Sequence, residues 1–219
     1  MVAAALTDGL GRVLIAQRPP GKHFAGGWEF PGGKLWAGED RRVGLARELR
    51  EELGITIATP RSLIRVRHTY DYGEVLIDMW VVRHYSGEPV GLDGQALRWC
   101  TQDELAAVEL LPADGPIVAA LRLPERLTRI STSFYTVRDL GGADGADFGG
   151  RLRGVLCAGI ADALAGSDAG ADFLVLRNEL SHSEIRSICE LVPVPVYVRG
   201  LRLEEAWELG ATGVDEIGE

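Results

Sequence analysis

Three glutamates, Glu48, Glu51 and Glu52, stand at i, i+3 and i+4 in the run Arg47-Glu-Leu-Arg-Glu-Glu-Leu-Gly54. On an α-helix those offsets project to one face. Carboxylates crowded on one face repel each other unless positive charge sits among them. Their oxygens suit a hard divalent cation and, through it, a polyphosphate. The same spacing also describes the solvated face of an ordinary amphipathic helix, so the surrounding elements must decide. Pro31-Gly32-Gly33 makes a tight loop ahead of the run, and Glu39 or Asp40 can cap a helix N-terminus there. Val43, Leu45, Ala46, Leu49 and Leu53 supply apolar positions, and Gly54 suits the left-handed residue that ends a helix. The spacing predicts a helix over about Asp40–Leu53.

From Gly33 to Ile55 the residues Gly33-x5-Glu39-x7-Arg47-Glu48-Leu49-x-Glu51-Glu52-x-Gly54-Ile55 match the Nudix box at every specified position. The chain therefore resembles the Nudix hydrolases. That resemblance implies an α/β/α sandwich with a mixed sheet and hydrolysis of a nucleoside diphosphate linkage. It implies Mg²⁺, for which Mn²⁺ can substitute, held by Glu48, Glu51 and Glu52 with the Gly33 carbonyl nearby. Arg47 would orient a box glutamate, and Glu39 would brace the junction of loop and helix. The branch resembling the 8-oxo-dGTP diphosphatase MutT expects a further carboxylate in a Gly-x-Glu-Gly-Gln segment. Here Gly91-Leu92-Asp93-Gly94-Gln95 offers Asp93, one methylene shorter, as an extra ligand or base. Glu48 is the first choice for general base and Asp93 the second.

The MutT resemblance covers about residues 1–123, through Gln17-Arg18-Pro19, Trp28-Glu29-Phe30-Pro31-Gly32-Gly33-Lys34 and Leu111-Pro112-Ala113-Asp114-x-Pro116. On it, Arg18 and Lys34 are expected at phosphates, His23 near the nucleotide, and Phe30 and Tyr70 beside the base. Core packing is the stronger role for Phe30, and a solvated position is an equal one for His23. Asp114 stands where MutT commonly carries Asn. An ionised Asp only accepts hydrogen bonds, so it would take the N7–H of 8-oxoguanine but repel O6 unless protonated. Asp at this place also occurs in CTP-type pyrophosphohydrolases, where an acceptor suits the cytosine amine. Three functional readings follow: an 8-oxo-dGTP diphosphatase, a CTP or modified-pyrimidine nucleotide pyrophosphohydrolase, and a non-catalytic nucleotide-binding module. The complete glutamate set weighs against the last.

The chain has 219 residues, 46% hydrophobic and 25% charged, with a net charge of −9. That charge disfavours general nucleic-acid binding. No run approaches the roughly 18 apolar residues of a membrane span. No secretory signal is evident at the start, and three scattered cysteines make neither a disulfide framework nor a zinc site, so a cytoplasmic setting is expected. Residues 1–126 carry 15 basic and 17 acidic side chains, whereas residues 127–219 carry 8 and 15. This shift, and a change of pattern, predict a first domain at 1–126 and a second at 127–219.

Strands are expected at Val2–Leu6, Arg12–Ala16, Trp28–Phe30, Ser62–Tyr72, Val75–Tyr85 and Leu97–Cys100, with helices at Asp103–Val108 and Pro116–Arg122. Residues 127–145 show no clear period, and Gly141–Gly145 reads as a flexible loop. From Gly154 onward strands alternate with helices, which argues for parallel βαβ units. The segments Gly170–Leu176, Val194–Val198 and Glu208–Val214 resemble the last third of a thiamine phosphate synthase-type barrel. A whole barrel needs roughly 200 residues or more, so only part of one fits. Arg199-Gly200 and Asp215-Glu216 replace the glycine-rich phosphate loops of that family, so synthase activity is expected to be absent. A part-barrel leaves sheet edges open, which makes homodimerisation through this region an expectation.

Overall fold

The computed structural model describes residues 1–128, 135–139 and 152–217. The chain divides into two compact units, Met1–Ser62 with Val66–Leu121, and Leu63–Arg65 with Arg122–Glu219. Up to Leu121 the elements are β1 (Val2–Leu6), β2 (Val13–Gln17), β3 (Trp28–Glu29), β4 (Gly32–Gly33), α1 (Arg41–Leu53), β5 (Thr56–Ala58), β6 (Arg61–Tyr70), β7 (Gly73–Val82), β8 (His84–Ser86), β9 (Leu97–Cys100), α2 (Gln102–Ala107), a 3-10 turn at Pro112–Asp114, and α3 (Gly115–Leu121).

The main sheet is mixed, in the order β4-β1-β7-β6, with β1 antiparallel to β4 and parallel to β7. A second sheet places β2 between antiparallel β3 and β9, and β5 pairs with β8. Helix α1 forms as its sequence dictates. Asp40 accepts from the N–H groups of Arg42 and Val43 at 2.9 and 3.1 Å, and Gly54 turns left-handed at φ 70°. Leu45, Leu49 and Leu53 recur every fourth residue and are fully buried against Val2, Ala4 and Leu6 of β1 and Trp80 and Val82 of β7. Each leucine so buried contributes about 1.5–3 kcal/mol. That contact fixes the rotation of α1 about its axis and turns Glu48 and Glu52 toward β4.

The second unit contains β10 (Arg126–Leu127), β11 (Tyr135–Asp139), β12 (Leu152–Cys157), α4 (Ile160–Asp168), β13 (Phe173–Leu176), α5 (His182–Leu191), β14 (Val196–Val198), α6 (Leu203–Glu208) and β15 (Gly213–Asp215). Its six strands form one parallel sheet in the order β10-β15-β14-β13-β12-β11. On one face Leu174, Leu176, Val196 and Val198 pack with Ala163, Ile185, Ile188 and Ala206 of the helices. On the other face Phe173, Val175 and Tyr197 are buried with Leu127, and Tyr197 donates to the Pro124 carbonyl at 2.7 Å.

Residues 127–145, which show no clear period in sequence, include β11, which runs in register with β12 from Tyr135↔Leu152 to Asp139↔Leu156. An edge strand needs little apolar patterning of its own, so Tyr-Thr-Val-Arg-Asp gave a weak signal. Gly141–Gly145 lies outside the described residues. Among the described residues no helix is long and apolar enough to cross a membrane.

Candidate active site

Arg47 organises the carboxylates of α1. Its Nε and Nη2 donate to the two oxygens of Glu39, both at 2.8 Å. Nη1 donates to Glu48 Oε1 at 2.9 Å and to Glu51 Oε2 at 3.1 Å, and Nη2 also reaches the Lys34 carbonyl at 3.1 Å. All five N–H groups of the guanidinium are thereby used. The arginine hydrogen bonds, with the Trp36 N–H, hold Glu39 at a pKa of about 2. Glu39 thus braces the loop, as the resemblance implied, and its own carboxylate is committed to Arg47 and Trp36.

The loop glycines make room for this arrangement. A Cβ on Gly33 would lie 2.2 Å from Glu48 Oε2, so the carboxylate occupies the space that a side chain would take. A Cβ on Gly32, at φ 150°, would lie 2.2 Å from the Val2 carbonyl oxygen. The Gly32 N–H donates to Glu52 Oε2 at 3.2 Å. Burial, with the charges of Glu48 and Glu29 adding to it, pushes Glu52 up to about 7 against that hydrogen bond. Two shielded carboxylates thus face one glycine strand, and a third, Glu51, is exposed beside them. The available donors are all oxygens, which fits a hard cation such as Mg²⁺. Among the described residues no three acidic, histidine or cysteine side chains converge as a ready-made cation cage. Arg47 takes one oxygen each of Glu48 and Glu51, which leaves the other oxygens for a cation.

Asp93 lies apart from this group. The Gln95 side chain and the Leu92 N–H tie its loop to the Glu52 carbonyl at 3.0 and 2.9 Å, but its own carboxylate is exposed and faces Lys22 Nζ at 3.9 Å.

The remaining expected residues line a cavity of about 480 Å³ that reaches Gly32 and includes Arg18, His23, Phe30, Lys34, Tyr70 and Asp114. The 3-10 turn at Pro112–Asp114 delivers Asp114, because the preceding Leu111 N–H is fixed to the Trp28 carbonyl at 3.0 Å. Asp114 is 4% exposed and its Oδ2 has no hydrogen-bond partner. Burial, reinforced by the Glu29 charge and opposed by Arg18, pushes its pKa up to about 8. It is therefore a neutral acid at pH 7, with one O–H donor and one carbonyl acceptor. The Arg18 guanidinium is taken up elsewhere, at 2.8 and 2.6 Å from the two Glu29 oxygens and 2.7 Å from the His23 carbonyl. Phe30 is buried, and Lys34 is exposed at the rim. Tyr70 stacks on Tyr72 at 5.0 Å, and His23 meets Tyr72 edge-on at 4.7 Å. A larger hollow of about 830 Å³, lined by Gly26–Trp28 and Val108–Pro112, holds neither the α1 glutamates nor Asp114.

Sequence reasoning missed Glu29, Lys22, Phe24, Tyr72 and Trp36 around this site. Glu29 was visible only as part of a phrase. Tyr72 lies in the turn just past β6, where it stacks on Tyr70, and Trp36 lies in the loop ahead of α1; neither placement has a signal in the linear spacing.

The NUDIX domain model matches residues 2–120. The CTP pyrophosphohydrolase of Escherichia coli is 39% identical over 120 residues, which is 54% of this chain and 88% of that protein. The 8-oxo-dGTP diphosphatase of Haemophilus influenzae is 33% identical over 121 residues, 55% of this chain and 89% of its own length. A solved MutT structure, from a study of the Aliivibrio salmonicida and Vibrio cholerae proteins, is 33% identical and covers 55% of this chain and 93% of its own, with a TM-score of 0.48. The family match spans more than half of the chain and contains the complete glutamate motif carried on α1, and the chain belongs to the Nudix hydrolase family.

Proposed function

We propose that the chain is a Mg²⁺-dependent nucleoside triphosphate pyrophosphohydrolase acting on 8-oxo-dGTP in the cytoplasm, a role in nucleotide-pool sanitation and DNA repair. Water adds across one P–O–P bond, and NMP and pyrophosphate leave. A bound divalent cation would neutralise the polyphosphate and acidify the attacking water. Glu48, Glu51, Glu52 and the Gly33 carbonyl would hold it. Arg47 keeps Glu48 and Glu51 apart and aimed, Glu48 is the first choice for the base, and Lys34 at the cavity rim meets the phosphates. Asp93, facing Lys22 on its exposed loop, is the weaker candidate for either role.

The observation that carries the substrate is the buried Asp114 at the wall of the cavity, whose Oδ2 has no hydrogen-bond partner; burial favours its protonated form. Oxidised guanine presents a donor at N7–H beside an acceptor at O6, and a protonated carboxyl answers both. Unoxidised guanine presents two acceptors there, so one of them must go without a proton donor. A buried polar group left unpaired costs about 1–3 kcal/mol, enough to discriminate by about tenfold to a hundredfold. The second reading, a CTP or modified-pyrimidine pyrophosphohydrolase, draws on the Escherichia coli relative, 39% identical. Cytosine also places a donor beside an acceptor, at its amine and N3. Mg²⁺-dependent hydrolysis of 8-oxo-dGTP, dGTP, CTP and 5-methyl-dCTP separates the two. Preference for 8-oxo-dGTP over dGTP and CTP is expected, whereas faster turnover of the cytidine nucleotides transfers the assignment to the second reading. Activity unchanged in Glu51→Gln and Glu52→Gln would remove the metal assignment, whereas no hydrolysis of any of the four nucleotides by the parent would leave the non-catalytic module.

The second unit is proposed to be a non-catalytic part-barrel of the thiamine phosphate synthase type. At the strand ends where that family holds phosphate, Arg199 Nε is instead paired with buried Asp215 at 2.6 Å. Homodimerisation through it is tested by light scattering, where a strict monomer refutes it.

A further inference from the structure

The indole of Trp36 lies over the guanidinium of Arg47, with Cζ 4.1 Å from the ring centroid. Trp36 is 64% exposed, so core packing does not account for its place. It is held from below by the group that also holds Arg47. The Trp36 N–H donates to Glu39 Oε2 at 2.9 Å, the Glu39 N–H returns to the Trp36 carbonyl at 3.1 Å, and both Glu39 oxygens accept from Arg47. Loop, carboxylate, guanidinium and indole therefore form a closed ring of contacts. The in-plane donors of Arg47 are all used, so its orientation can be secured further only through its faces. Cation–π contact with Trp36 secures one of them.

The orientation matters because one nitrogen, Nη1, serves both Glu48 and Glu51. Each carboxylate takes one of its two N–H groups, so rotation of the guanidinium out of this plane weakens the aim at both. If the plane tilts, the carboxylates are freer to rotate, and the free oxygens of the pair lose their fixed separation. We infer that Trp36 is a positioning residue: by stacking on Arg47 it presets Glu48 and Glu51 for a divalent cation. This rests on the proposed metal-binding role of those glutamates.

The test is Mn²⁺ binding to the full chain without nucleotide, followed by electron paramagnetic resonance, beside the Mg²⁺ concentration for half-maximal hydrolysis. An exposed cation–π contact predicts about two- to fivefold weaker Mn²⁺ binding in Trp36→Ala. The half-saturating Mg²⁺ should rise in step, and Trp36→Phe should restore most of both. Circular dichroism and the melting temperature are expected to stay at the parent values in both variants. Parent-like Mn²⁺ affinity in Trp36→Ala, alongside a clear loss in Glu51→Gln, overturns the positioning role and leaves the metal reading standing. Parent-like affinity in both variants overturns the metal reading itself. Equal weakening in Trp36→Ala and Trp36→Phe also refutes the stack, since an aromatic face would then make no difference.

Discussion

Replacing Asp114 by Asn keeps the shape of the side chain and removes its titration. The folded protein holds the Asp114 proton up to about pH 8, against 3.8 in an ordinary aspartate. Between those limits the unfolded chain has released a proton that the folded one retains. Unfolding therefore gains as pH rises, and stability falls with a limiting slope of about 1.4 kcal/mol per pH unit. Over the whole interval the upper limit is about 6 kcal/mol. Polarisation of the surrounding protein screens the charge, so the observed change falls below this limit. Asp114→Asn carries no such dependence, so its stability advantage over the parent should grow from about pH 4 to about pH 8 and then level off. Urea unfolding of both proteins across that range measures the gap directly. The parent's kcat/KM for 8-oxo-dGTP should also fall above about pH 8, as the donor is lost, while Asp114→Asn holds level. A stability gap that stays constant across the range would refute the neutral acid and the substrate argument built on it.

Neighbouring glycines should give opposite phenotypes. Gly33→Ala places its Cβ against the flexible Glu48 carboxylate, which can swing away. Stability should then change by less than about 1 kcal/mol while kcat/KM falls about a hundredfold. Gly32→Ala meets the Val2 carbonyl and the Ala3 Cα, which cannot move aside. It should cost about 3 kcal/mol or more, seen as a lowered melting temperature. Arg47→Lys removes the fork that serves Glu39, Glu48 and Glu51 together, and kcat/KM should drop at least about tenfold with the fold retained; an unchanged value refutes its aiming role. Arg18→Ala leaves half-buried Glu29 without its partner and should cost about 1–2 kcal/mol in urea unfolding, with no loss counting against a structural pair.

The first unit was legible because local signals agreed. The leucine period of α1, its Asp40 cap and its Gly54 terminus each pointed to the same helix, and the glutamate spacing followed from it. The parallel second unit was legible where apolar strands alternate with helices, as at Phe173–Leu176 and His182–Leu191. The rest depended on partners remote in sequence. Gly32–Gly33 counts as a strand only because Val2 pairs with it. The commitment of Arg18 to Glu29 cannot be read from spacing, since either residue alone suits solvent or a phosphate. The neutral state of Asp114 arises from burial and the nearby Glu29 charge, neither of which a linear motif records.

The second unit begins and ends on the same seam. Its first strand, at Arg126–Leu127, pairs with its last, at Val214–Asp215, across 88 residues of sequence. Loop closure over that distance must precede the contact, which places this seam among the slow, non-local steps of folding. During synthesis the sheet face under Phe173, Val175 and Tyr197 would lack β15 until Gly213–Asp215 emerges. Deletions from either end should therefore act alike, by opening the seam, and a partly made or trimmed unit should be the form of this protein most exposed to aggregation and proteolysis.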